Sequence, residues 1–230
     1  MSSITFKKEI LDLLKGSPPE LFLAELRNYS PARLLKPLFS GICASDEMLK
    51  WHAVTAMGMV VSALADEDME AGRVVMRRLM WSLNDESGGI GWGAPETIGE
   101  ILSRHDALAL EYCHILVSFM REDGFYLEYG PLQRGLMWGL GRMAMAKADL
   151  LRSKDAVRYH LPYLKSEDNT VAGLAAWGLG LLKATEAVAG IESLLENSSE
   201  VRLYLDNRVQ VFTIGQLARQ ALDLIKGKIF

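Results

Sequence analysis

Apolar residues return along the chain at helical spacing, and the spacing itself recurs about every forty residues. Four segments close alike: WHAVTAMG at 51–58, WGAPETIG at 92–99, RGLMWGLG at 134–141 and GLAAWGLG at 173–180. Their final glycines, Gly58, Gly99, Gly141 and Gly180, are 41, 42 and 39 residues apart. Nine positions earlier stand Leu49, Ile90, Leu132 and Val171; five earlier, Ala53, Ala94, Leu136 and Ala175. Two earlier stand Ala56, Thr97, Gly139 and Gly178, and two later Val60, Ile101, Met143 and Leu182. Steps of four, three and four residues trace one face of an α-helix. Each such helix follows another amphipathic stretch, as in Leu34, Leu35, Leu38 and Phe39, or Val75, Leu79 and Leu83. Nothing alternates with period two over a useful length, so the pattern predicts helix–loop–helix units and no sheet.

Small residues at and before the repeat glycine let helix backbones approach closely. A glycine inside a helix costs roughly 1 kcal/mol relative to alanine, so its return in four helices points to a recurrent close crossing. The chain reads as one domain: residues 1–30 as capping helices (4–15 and 19–28), 31–185 as four recognisable repeats, and 186–230 as an atypical C-terminal repeat with helices at 187–196 and about 213–226. Atypical ends are expected where an array must close its core. The longest apolar runs, Val54–Ala65 and Val171–Leu182, are shorter than the roughly 18 residues of a membrane span and read as buried helices.

The repeat pattern resembles HEAT repeats, especially the shorter HEAT-like repeats of the phycobilisome-lyase type. LPYLKSEDNTVAGLAAWGLGLL at 161–182 carries the likeness best: an apolar first helix, an acidic turn, and a second helix ending in a small-residue motif. The resemblance covers roughly residues 31–185 and implies an all-α solenoid of about five HEAT-like helix pairs with atypical terminal caps. Such repeats often carry an arginine eight residues before the glycine; here Lys50, Gly91, Gln133 and Ala172 stand there, and only Lys50 keeps the charge. Some relatives handle bilins attached to cysteine, which makes a bilin-like cofactor the alternative to a protein partner. HEAT-like deoxyhypusine hydroxylases hold iron with His-Glu pairs, and His52, His105, His114 and His160 form none.

Composition narrows the function classes. Half the residues are hydrophobic, 23% are charged, mean hydropathy is +0.10 and net charge is −4, which suits a folded protein with covered helices. A nucleic-acid surface, including that of a HEAT-like alkylpurine glycosylase, needs a basic stripe. The densest basic spot, Arg73, Arg77 and Arg78, reads as a solvated helix face. Cys43 and Cys113 form no CxxC pair, lie in apolar stretches and read as buried free thiols. With no signal-like apolar centre in Met1–Lys15, the expectation is a cytoplasmic protein without a nucleic-acid or membrane partner.

Candidate chemistry gathers in three insertions at the same point of the repeat. NDESGGIGWGAPE, 84–96, brings Asp85, Glu86, Trp92 and Glu96 to a glycine-rich loop before a helix start. It reads either as a tight inter-helix loop or as a ligand or peptide contact. It lacks the GK[ST] of a P-loop. The connection 121–135 brings Phe125, Tyr126, Glu128, Tyr129 and Arg134, and 199–216 brings Arg202, Tyr204, Asp206, Asn207, Arg208 and Gln216. Equivalent loops of a solenoid line up along one edge, where aromatics and both charge signs make a protein-recognition composition. No GxSxG elbow, metal-ligand set or convincing pair among Glu96, Glu100 and Glu128 is present. The expectation is a non-catalytic scaffold or adaptor, without cofactor, binding a protein or peptide along its inner helices and loop ridge.

Overall fold

The computed structural model describes residues 3–83 and 91–227. Two helices, α1 (Ser3–Gly16) and α2 (Pro19–Leu26), precede a run of paired elements. The pairs are α3 (Pro31–Ile42) with α4 (Glu47–Glu67), α5 (Met69–Leu83) with α6 (Ala94–Arg104), and α7 (Asp106–Ser118) with α8 (Gly130–Arg152). Next, α9 (Ala156–His160) and the 3₁₀ turn Leu161–Lys165 pair with α10 (Asn169–Leu181). Last come the short α11 (Val188–Glu192) and α12 (Ile214–Ile225), with β1 (Glu200–Leu205) and β2 (Arg208–Thr213) between them. Successive second helices, α4, α6, α8, α10 and α12, pack side by side in that order. The architecture is an all-α solenoid.

Local chemistry sets the helix starts. Asp46 caps α4 by accepting the Leu49 N–H at 3.0 Å. Asp168 caps α10 by accepting the N–H groups of Thr170 and Val171. Thr213 and Gln216 form a reciprocal capping box at the start of α12. Gly93, at φ 73°, turns the chain into α6 directly beneath the Ile42 carbonyl, where a side chain would collide.

The repeat glycines are the contact points between units. A Cβ on Gly58 would sit 2.6 Å from Glu100 of α6, and one on Gly180 would sit 2.5 Å from the Ala221 main chain of α12. A Cβ on Gly99 would strike the main chain of Gly139 in α8, and one on Gly141 would strike the Trp177 ring in α10. Each repeat glycine thus faces the second helix of the next unit. The central second helix, α6, is covered on nearly every side: Ala94 through Ser103 are all buried. By length and apolar character α4 could cross a membrane, yet it is the buried core helix of the first pair.

Two expectations fail. The chain does contain a sheet, an antiparallel hairpin in which Glu200 pairs with Thr213 and Leu205 with Arg208. Asp206 and Asn207, at φ 50° and 61°, form its two-residue turn, as a type I′ hairpin turn requires. Alternation does occur here, with Val201 and Leu203 buried and Glu200 and Arg202 exposed, but each strand has only six residues, too few to stand out among long helical runs. Cys43 is exposed, not buried, because it follows the last turn of α3 and leaves the packed face. Cys113 is buried as expected, and burial pushes its thiol pKa up to about 11.

His160 is wholly buried beside Gly178. Burial lowers its pKa to about 4 from 6.5, the Ala156 backbone offsetting part of the shift. The folded imidazole therefore holds a proton less tightly than the unfolded one. Its contribution to stability is whole above pH 6.5 and drains as pH falls toward 4, by about 3 kcal/mol in all. Urea unfolding at pH 7.5 and pH 4 should show a smaller acid loss in His160→Leu than in wild type, by about that amount; equal losses would show that His160 is not a source of acid lability.

Candidate functional site

The inner side of the solenoid carries an aromatic and ionic lining that only the folded register assembles. Trp51 of α4 and Trp138 of α8 lie with ring centroids 4.7 Å apart. Tyr204 of β1 stacks on Trp51 at 4.9 Å with the rings 2° from parallel. The Trp138 indole N–H donates to the Tyr204 carbonyl at 2.9 Å. The Tyr204 hydroxyl lies 3.2 Å from Thr55 Oγ1, and burial raises its phenol pKa. Tyr204 therefore stays neutral across the physiological range. The hairpin of the last unit thus reaches α4 of the first.

Charge is laid between neighbouring second helices. Glu96 is 4% exposed and takes Lys50 of α4 at 2.5 Å. Glu100, 3% exposed, binds Arg104 of its own helix at 2.5 Å and Arg142 of α8 at 2.6 Å. Buried carboxylates persist only when paired in this way. Arg134 meets Asp168 at 2.7 Å, and Arg202 of β1 meets Glu47 of α4, with Nε 3.1 Å from Oε1.

Of the residues singled out from the sequence, Trp92, Glu96 and Arg134 line one cavity of about 420 Å³, together with Lys50, Trp51 and Trp138. Tyr129 joins them through an edge contact with Trp92 at 5.8 Å. At 40% and 47% exposed, Trp92 and Tyr129 form the open lip. Cys43 sits beside this lip, with Sγ 3.6 Å from the Trp92 carbonyl. Partial burial raises its pKa, though Lys50 and Arg78 oppose this, so the thiol is not a ready nucleophile. Asp206 and Asn207 line a second cavity of about 250 Å³ with Thr55, Glu100, Arg142 and Tyr204. Tyr126 belongs elsewhere, to a surface cleft with Arg158 and Tyr163. Glu128 and Arg208 are exposed outside these cavities, and Asp85 and Glu86 lie outside the described residues. Residues of all three insertions thus meet at the first cavity, which Glu200 and Arg202 also line, while Tyr126 and the Asp206-Asn207 turn face other clefts.

Arg202 and Tyr204 belong to the 199–216 insertion, whereas Lys50, Trp51, Thr55, Trp138 and Arg142 lie within helices and escape the loop-based reading, although a signal exists. Trp51 and Trp92 both precede their repeat glycine by seven residues, and Trp138 and Trp177 precede theirs by three. Glu100 and Arg142 each follow theirs by one, so the register that stacks the repeats also pairs these charges. The basic spot on α5 is internally satisfied: Arg73 pairs with Glu111, Arg77 with Glu70, and Arg78 lies over the Phe39 ring. Among the described residues no group of three or more His, Cys, Asp or Glu is placed to hold a metal. The arrangement offers recognition by aromatic faces and paired charges.

Neither a protein-family model nor a curated protein matches the chain. Solved structures do. An engineered protein aligns with TM-score 0.59 at 16% identity, over 99% of this chain and 93% of its own. A designed armadillo repeat protein aligns with TM-score 0.57 at 16% identity, over 95% and 92%. A second, in complex with a (KR)4 peptide, aligns with TM-score 0.58 at 16% identity, over 95% and 91%. At such identity the likeness concerns the fold, an armadillo-like stack of helical repeats.

Glu100→Ala should lower stability by about 3 kcal/mol, because it leaves two guanidinium groups without their shared carboxylate. Urea unfolding at neutral pH measures this, and a loss under about 1 kcal/mol, the range of an exposed pair, would show that the contacts are superficial.

Proposed function

We propose that the chain is a non-catalytic scaffold of the HEAT-like kind that binds a protein or peptide at the mouth of its inner face. One observation carries the reading: three tryptophans, Trp51, Trp92 and Trp138, converge on a single cavity of about 420 Å³. The ion pairs Lys50–Glu96, Arg134–Asp168 and Arg202–Glu47 surround it. Aromatic anchors within a polar rim are the usual composition of a binding hot spot. Each of these cations is already neutralised by a carboxylate, which favours a protein or peptide over nucleic acid, as does the net charge of −4. That a designed armadillo repeat protein of similar fold is found in complex with a (KR)4 peptide supports the idea that a helical repeat stack can accommodate a peptide.

A second reading, a flat conjugated ligand such as a bilin, draws on the same cavity, whose size and aromatic lining suit a small molecule. Affinity purification from native lysate with mass spectrometry separates the two. Under the scaffold reading, a stoichiometric protein partner is recovered with wild type. It falls at least tenfold with Trp92→Ala or Arg134→Ala, but persists with Trp81→Ala, whose ring is 80% exposed on α5. Recovery of an absorbing small molecule and no partner would instead establish the ligand reading.

A further inference from the structure

The inner face is already occupied in part by the chain itself. Successive strand residues point to opposite sides, so β1 has two working faces. Val201 and Leu203 point into the last repeat and are wholly buried, Val201 against Gly173 of α10. Tyr204 points the other way and crosses to α4, where its hydroxyl meets Thr55, 149 positions earlier in the chain. Its contacts are of the kind an extended peptide makes: an aromatic ring laid on Trp51, a hydroxyl on Thr55, and a main-chain carbonyl on the Trp138 N–H. Open cavities of about 420 and 250 Å³ lie on either side, and Trp138 lines both. Tyr204 on Trp138 is thus the partition between two halves of one lining.

The arm is held in a way that permits release. A two-stranded ribbon is marginally stable without support. Here the support comes from the last repeat, where β1 packs on α10 and β2 on α12, so the ribbon stays anchored through Val201 and Leu203 when the Tyr204 contacts with α4 and α8 part. The Arg202–Glu47 pair is exposed on both sides, at 60% and 42%, and such pairs hold weakly.

We infer that the Tyr204 arm of the hairpin is a tethered occupant of the recognition surface. The partner it gives way to is an extended peptide that lays an aromatic side chain on Trp51 and offers a main-chain carbonyl to Trp138. The inference rests on the scaffold reading above and adds the chemistry of the partner and the means of its control. A tethered occupant lowers the apparent affinity of any competitor by the fraction of time the surface is free. Weakening the arm therefore tightens binding with no new contact.

The test uses the full chain and a fluorescein-labelled synthetic peptide of residues 200–207, read by anisotropy. Tyr204→Ala should bind this peptide at least tenfold more tightly than wild type. The gain should vanish when Trp51→Ala is added, or when the peptide's own tyrosine is replaced by alanine. Arg202→Ala, which removes the exposed pair with Glu47 at the rim of the cavity, should move affinity the same way by a few fold, and it carries the test if Tyr204→Ala does not fold. Equal affinity in wild type and the folded arm variants, or reduced stability with no gain in binding, would overturn the inference. A partner captured through Trp92 yet bound equally by wild type and Tyr204→Ala would leave the scaffold reading standing and remove this one.

Discussion

Gly99 of α6 and Gly139 of α8 meet main chain to main chain, with no room for a Cβ on either, and much of the inner face follows from this crossing. Because the helices approach so closely, carboxylates on α6 are enclosed. Glu96 must take its cation from α4, and Glu100 must take one from α8. The same crossing sets Trp138, next to Gly139, against Trp51. It also holds the second helices close enough for a hairpin from the last unit to touch the first.

Packing and charge thus cooperate. Burying a carboxylate is unfavourable unless it is paired with good geometry, and here each partner comes in whole or part from a neighbouring repeat. The pairs add specificity of register to an interface otherwise made of small and apolar groups. A shift of one repeat against the next would separate Glu100 from Arg142 and leave Glu100 with Arg104 alone. The aromatic cluster sits at the centre of this network, and its open lip at Trp92 and Tyr129 faces outward.

The helical repeat was legible in the sequence because its signal is long and regular. Gly58, Gly99, Gly141 and Gly180 fix the register, and each meets the next unit's second helix. The hairpin was not legible, since twelve strand residues give a short alternation and the turn is Asp206-Asn207 without a glycine. Trp92, Glu96, Tyr129 and Arg134 are legible because they lie in two marked insertions, 84–96 and 121–135, at the same point of the repeat. Trp51 and Trp138 were hidden, since a tryptophan within an apolar helix reads as core, and here it is both core and lining. Tyr126 shares its loop with Tyr129, yet its side chain faces a cleft with Tyr163 and Arg158, which loop position alone does not reveal.

The glycine crossing of α6 and α8 positions the hairpin across the inner face. Hydrogen exchange at the Trp138 indole N–H, followed by NMR in wild type and Gly99→Ala, tests it directly. A methyl group at Gly99 collides with the Gly139 backbone, so the two helices must separate. The account predicts a slowly exchanging indole N–H in wild type and a selective loss of protection in the variant, while the amides of α12 keep theirs. A folded Gly99→Ala protein with unchanged indole protection would contradict it.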